Sequence, residues 1–155
     1  MPAESAQWEI ETMASVLHLF RANQRRLPME AVASIRAVAN SGLEGCAHAR
    51  TGSARQVLLM DSETLELMEL EPGIIRENIT TRGINVNGLV PGQRLRMGDA
   101  QLEVSLPCTP CDLLEKIRPG LRRELRGRRG MLCRVIEGGV ISQGDRIERV
   151  SVEGT

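Results

Sequence analysis

Aromatic side chains are almost missing from this 155-residue chain: Trp8 and Phe20 are present, with no tyrosine. A core must then be built from Leu, Ile, Val, Met and Ala. The same lack argues against a single-strand nucleic-acid binder, which stacks bases on aromatic platforms. Lysine is scarce too, since nineteen of the twenty basic residues are arginine and only Lys116 is not. A Schiff base to a carbonyl substrate or to pyridoxal phosphate needs a lysine amine. Only Lys116 can supply one, and its helical neighbourhood reads as exposed. Net charge is absent, twenty basic residues facing twenty acidic ones, so no chain-wide polyanion-binding field is expected. No apolar run approaches the roughly eighteen residues needed to span a bilayer. The stretch from Met1 to Glu11 carries charge and has no apolar centre, so no signal peptide is read there. A cytoplasmic location follows as the expectation, with neither nucleic acid nor membrane as a partner.

Hydrophobic residues make up 41% and charged residues 26%, which excludes a disordered chain and fits one globular domain over 1–155. Strands are expected over Glu9–Phe20, Glu30–Ala39, Gln56–Met60 and Ile74–Thr80, the third as a buried strand. Gln93–Met97 and Gln101–Leu106 flank Gly98-Asp99 as a hairpin. Met131–Glu137, Val140–Ser142 and Arg146–Val152 complete the strands. Asp61 or Ser62 can cap a short helix through Leu70, and Asp112 one through Arg118. Another helical turn is expected over Leu121–Arg126. Arg21–Pro28 and the glycine-rich Ser41–Ser53 read as loops, and loops as long as the second are often functional. Many short strands with glycine turns and few helices predict a closed or nearly closed β-barrel.

Four cysteines stand out: Cys46, Cys108, Cys111 and Cys133. In a reducing compartment such residues are more often reactive or metal-binding than paired. Pro107-Cys108-Thr109-Pro110-Cys111-Asp112 places a Cys-x-x-Cys before a capped helix. Cys111 then sits at a helix N-terminus, where free N–H groups and the dipole favour a thiolate. That form ligates metal, carries a persulfide or attacks a disulfide, and the motif alone does not choose among these. A thioredoxin-like site would need a βαβ setting, which this hairpin-rich chain does not offer. Cys46 and His48, joined to Cys108 and Cys111, form an alternative tetrahedral zinc set. Arg55, Arg76, Asn78, Arg128 and Arg129 are a third group, in which arginines at strand ends can hold phosphate bidentately. Arg76 and Asn78, two apart on an expected strand, should share a face. His18 and Cys133 lie among apolar residues and read as core.

Several of these pieces, in order, resemble the MOSC domain, named for the C-terminal domain of molybdenum cofactor sulfurase. They begin with Gly42-Leu43-Glu44-Gly45 and His48, followed by Arg55 to Asp61. Pro72-Gly73 and Arg76-Glu77-Asn78-Ile79-Thr80 come next, then Gly92 to Ala100 and Pro110-Cys111 with Leu114. Gly127-Arg128-Arg129-Gly130, Gly138-Gly139 and Gly144-Asp145 close the series, which spans roughly 8–150. Each piece is weak; their order is specific.

The resemblance, to a small stand-alone bacterial-type member, implies a mainly β, barrel-like fold with short peripheral helices. It implies that Cys111, in its Pro-Cys pair, is the functional thiol. In relatives that bind molybdenum cofactor this cysteine ligates molybdenum, while Arg and Asn groups hold the pterin phosphate. Other relatives are proposed to carry sulfur as a persulfide on it. Here Cys46 stands where the family loop usually has Asp, and Cys108 where Arg often precedes the family cysteine by three. These departures favour a metal or sulfur role over direct reductase turnover. The expected function is therefore molybdenum-cofactor binding or sulfur carriage through Cys111, with Cys108 as its companion thiol. His48, Arg55, Arg76, Asn78 and Arg128 are the expected cofactor-binding residues. Expected partners are the cofactor itself or a sulfur donor or acceptor protein. The alternatives are a non-enzymatic zinc-stabilised domain and a small molybdenum-dependent reductase of N-hydroxylated compounds. Enzymatic activity and oligomeric state stay open.

Overall fold

The computed structural model describes residues 13–24 and 28–151. Eleven strands are present among them: β1 (Ser15–Arg21), β2 (Glu30–Val32), β3 (Ser34–Val38), β4 (Gly42–Leu43), β5 (Val57–Asp61), β6 (Ile79–Arg82), β7 (Arg94–Met97), β8 (Ala100–Pro107), β9 (Met131–Glu137), β10 (Gly139–Ser142) and β11 (Ile147–Val150). Three short α-helices accompany them, α1 (Ser62–Leu67), α2 (Leu113–Ile117) and α3 (Leu121–Glu124), with a 3-10 turn at Val86–Gly88. The expected strand over Glu9–Phe20 is seen from Ser15 onward, and its residues 9–12 lie outside the described residues, as do 25–27 of the basic loop and Val152.

The apolar run of β5 is buried at every position because both its faces are covered. Leu59 enters the larger core, with Leu19, Leu43, Ile79, Leu102 and Val135. Met60, one residue on and so on the other face, joins Leu65, Ile75, Leu114, Leu121 and Leu125 beneath the helices. Asp61 ends β5 and caps α1: its Oδ1 accepts from Thr64 N–H at 2.7 Å, and its Oδ2 from Val86 N–H at 3.2 Å. The β7–β8 hairpin turns at Gly98-Asp99 as its sequence predicts.

The strands do not close into a single barrel. They form an eight-stranded sheet ordered β11-β7-β8-β9-β5-β6-β1-β2 and a three-stranded sheet ordered β10-β3-β4. The split arises where the chain changes sheets. At Ala33 it leaves β2 for β3, dividing the single strand expected over Glu30–Ala39. At Gly138 it leaves β9 for β10. A Cβ on Gly139, at φ +155°, would lie 2.6 Å from Asp99 carbonyl oxygen, so glycine is what lets the backbone pass there. One isolated bridge, Ser15 to Arg146, ties the start of β1 to the residue before β11.

The strand expected over Ile74–Thr80 begins only at Ile79. Before it the Glu77 carboxylate accepts from Gly73 N–H at 2.7 Å and from the Thr80 hydroxyl at 2.8 Å. This closes a turn in which Arg76 has φ +69°. Local side-chain hydrogen bonding thus wins over strand propensity.

Gly130 joins two parts of the site. Its carbonyl accepts from Cys108 N–H at 2.9 Å, and its N–H donates to Asn87 Oδ1 at 2.9 Å. It has φ +105°, and a Cβ there would lie 2.4 Å from Leu59 carbonyl oxygen. Gly130→Ala is therefore expected to destabilise the chain by about 2–4 kcal/mol, the sum of left-handed strain and a backbone clash. Urea unfolding measures it; a change below about 0.5 kcal/mol, the scale of an ordinary surface substitution, would contradict this packing.

Candidate functional site

A cleft of about 390 Å³ opens where the loop after β4, the turn before β6, the segment after β8 and the segment before β9 converge. His48, Arg55, Arg76, Asn78, Cys108 and Cys111 all line it. Leu58 and Leu132, from β5 and β9, add an apolar wall. Arg76 and Asn78 thus share the cleft as expected, though not by strand alternation, since Arg76 lies in the turn. Arg128 does not line it: this residue is exposed, and the neighbouring Arg129 faces the cleft instead.

Arg129 is only 5% exposed. Its Nη2 donates to the Ile75 carbonyl at 2.9 Å, while Nε and Nη1 have no partner among the described residues. A buried N–H left unpaired costs about 1–3 kcal/mol, more when the group is charged. Arg129 is thus a buried cation at the lining of the cleft with two donors unpaired among the described residues. Behind Arg129 lies Glu77, fully buried. Burial pushes the Glu77 carboxyl above the usual range, against the opposing pull of Gly73 N–H, the Thr80 hydroxyl and the Arg129 charge. The pair are not in salt-bridge contact, though the Arg129 charge still acts on Glu77.

Asn78 is the hub of the cleft's inner wall. Its Oδ1 accepts from Leu58 N–H at 3.0 Å and lies 3.4 Å from His48 Nδ1. Its Nδ2 donates to the Phe20 carbonyl at 3.2 Å and to Cys46 Sγ at 3.3 Å. Those backbone partners fix which end of the amide is oxygen. An oxygen facing His48 Nδ1 can only accept, so the proton is assigned to Nδ1.

The four thiols sit in different surroundings. Cys111 is exposed on the rim. It stands just ahead of α2, whose five residues give a small dipole; the Asp112 side chain bonds Arg122 at 2.6 Å and does not cap. The expected capped helix start is therefore only partly realised. Cys108 is half-buried; burial pushes its thiol up, opposed by the charges of Arg129 and Arg55. Cys133 is core, as its neighbours predict, and burial pushes its thiol far up.

Cys46 is the unexpected one. It is buried behind Asn78, which burial alone would push up, yet hydrogen bonds from the His48 side chain, Ala22 N–H and His48 N–H bring it down to about 7. This sets it apart from the zinc reading. Among the described residues no three His, Cys, Asp or Glu side chains gather as metal ligands, so Cys46, His48, Cys108 and Cys111 are not assembled as a zinc set. The physical reason is that Cys46 points back toward Ala22 and Asn78.

Thiolate ultraviolet absorbance should rise with a midpoint near pH 7 in the folded chain, from Cys46. Cys46→Ser should remove that step, and His48→Gln should move it upward. The folded value lies below the ordinary 9.0, so Cys46 adds stability at high pH that is lost as pH falls through about 7. A step unchanged in Cys46→Ser would assign it to another thiol.

The fold and this cleft define a mainly β domain with a thiol and arginine pocket. The family model of the MOSC domain matches residues 48–148, and the chain belongs to that family. The structure is similar to the YuaD protein from Bacillus subtilis, with TM-score 0.76 and 18% identity, over 91% of this chain and 97% of that one. It is also similar to YiiM from Geobacillus stearothermophilus (TM-score 0.73, 22% identity, 89% of this chain and 75% of that one). YiiM from Escherichia coli gives TM-score 0.69 at 20% identity, over 91% of this chain and 72% of that one. At these identities the likeness speaks for the fold. A search of curated proteins gives no match. No helix among the described residues is long and apolar enough to cross a membrane.

Proposed function

We propose that the chain binds molybdenum cofactor in this cleft, with Cys111 as the thiolate ligand of the metal and Arg129 as the anchor of the pterin phosphate. The carrying observation is the pair of unpartnered N–H groups on buried Arg129, in the same cleft as an exposed cysteine. A phosphate monoester would accept from one of these donors and relieve its desolvation; Nε and Nη1 lie on different edges of the guanidinium, so one phosphate does not take both. Arg55 and Arg76 add positive charge from the opposite loops, and His48, with its proton assigned to Nδ1, is held in place by Asn78. Family membership supports the choice of cofactor. When bound, the cofactor would supply two-electron redox or sulfido chemistry; the chain's residues hold it and screen it from water on the Leu58 and Leu132 side.

A second thiol in the cleft, Cys108, favours a related reading, sulfur carriage. There the Cys111 thiolate attacks the outer sulfur of a donor persulfide. A new S–S bond to Cys111 forms as the donor's S–S bond breaks, and the donor leaves as a thiolate.

The test is elemental analysis of protein made in a host that synthesises molybdenum cofactor. About one molybdenum per chain, with pterin fluorescence after denaturation, is the expected result. Stoichiometric zinc with no molybdenum would overturn the proposal. A metal-free protein whose mass falls by one sulfur on reduction would replace it with the persulfide reading.

A further inference from the structure

A second groove, of about 670 Å³, lies beside the thiol cleft and shares Thr109 with it. Pro110 and Glu115 form one wall, and Arg122, Arg123 and Arg126 the other. The platform is firm. Leu114 of α2 and Leu121 of α3, with Leu125 just after it, are fully buried in the core beneath the helices, which turns the arginines outward. Arg126 N–H bonds the Arg123 carbonyl at 3.2 Å, so these two side chains stand one turn apart.

The acids of this face are already engaged. Glu115 accepts from Gly120 N–H at 3.1 Å and from Arg122 N–H at 2.9 Å. Asp112 holds the Arg122 guanidinium at 2.6 Å, and Glu124 holds Arg118 at 2.6 Å. Arg123, Arg126 and nearby Arg128 are exposed, and none of them takes part in the side-chain hydrogen bonds or ion pairs found among the described residues. A chain with no net charge thus concentrates uncompensated positive charge at one place, across Thr109 and Pro110 from Cys111.

We infer that this groove docks an acidic segment of a partner protein that gives cargo to Cys111 or takes it away. The inference rests on the reading that Cys111 handles cargo. A protein partner fits better than a nucleic acid. A duplex presents about one negative charge per 1.7 Å and is bound through an extended basic track, whereas this patch is local on a neutral chain with almost no aromatics to stack bases. An acidic peptide needs only a few arginines and a groove, and such docking is fast and salt-sensitive.

A fluorescein-labelled octaglutamate peptide provides the test, its binding to the full chain followed by anisotropy at low and physiological salt. Arg123→Glu combined with Arg126→Glu should weaken binding at least tenfold. The same charge change at exposed Arg96 and Arg149, on β7 and β11, should alter it less than twofold. Bound peptide should also slow labelling of Cys111 by a bulky maleimide. The inference is overturned by an absence of binding to the unaltered chain, by equal loss in both double variants, or by tighter binding of a mixed-sequence oligonucleotide at the same salt. Molybdenum content separates this idea from the cofactor reading. The Arg123 and Arg126 variant should keep its molybdenum while losing the peptide. A molybdenum-free chain that still binds peptide through these arginines removes the cofactor reading and leaves the docking face.

Discussion

Arg129→Met should leave the chain folded, though less stable, yet abolish anion binding in the cleft. Methionine keeps most of the buried volume and has no charge to desolvate. The substitution forfeits one hydrogen bond, to the Ile75 carbonyl at 2.9 Å. It also removes two orphaned donors whose burial is unfavourable. These effects oppose each other, but the buried Glu77 carboxyl also loses the pull of the Arg129 charge, so a net loss of about 1–3 kcal/mol in unfolding free energy is expected. Binding has no such compensation. Losing a buried arginine that pairs with a phosphate removes about 2–5 kcal/mol, at least roughly 30-fold in affinity. Calorimetry with inorganic phosphate and urea unfolding on the same samples read the two effects separately. Arg128→Met, at an exposed position, should change neither. If Arg128→Met weakens phosphate binding and Arg129→Met does not, the anion site has been assigned to the wrong arginine.

Asn78→Ala should be among the most destabilising single substitutions in the chain, because four groups depend on this one fully buried amide. Leu58 N–H and the Phe20 carbonyl lose their side-chain partner in buried surroundings. Each orphaned backbone group costs about 1–3 kcal/mol, and the cavity adds to this, so a loss of about 3–5 kcal/mol is expected by urea unfolding. The sulfur of Cys46 also loses a donor, so its thiolate absorbance midpoint should rise above about 7. A mild loss, below about 1 kcal/mol, would mean the amide is not the hub described.

Legibility in the sequence followed the range of the forces involved. The β7–β8 hairpin, β9 and β5 are readable because apolar runs and Gly-Asp turns act locally. The helix after Asp61 is readable because a cap needs only its next three residues. Closure into one barrel was not readable, since it depends on where the chain switches sheets, at Ala33 and Gly138. The Ile74–Asn78 turn hides for a similar reason: its apolar residues suit a strand, and only the Glu77 carboxylate reaching back to Gly73 N–H overrides them.

The candidate site shows the same division. The Pro-Cys pair and the Arg-Glu-Asn run carried the resemblance, and the structure gathers His48, Arg55, Arg76, Asn78, Cys108 and Cys111 into one cleft. Arg128 and Arg129 are chemically identical neighbours, so only burial separates them. A weak signal was present, because Arg129 adjoins Gly130 and the apolar start of β9, where the chain must turn inward. Cys46 and His48 are paired by their spacing, but the part of Asn78 between them had no sequence signal, since it lies 32 and 30 residues from them.

Anomalous scattering at the molybdenum absorption edge tests the proposed cofactor site most directly. Crystals of protein from a cofactor-competent host should give one molybdenum peak at bonding distance from Cys111 Sγ, with phosphate density against the Arg129 guanidinium. A molybdenum peak away from Cys111, or phosphate density held by other residues while Arg129 stays unpaired, would contradict it.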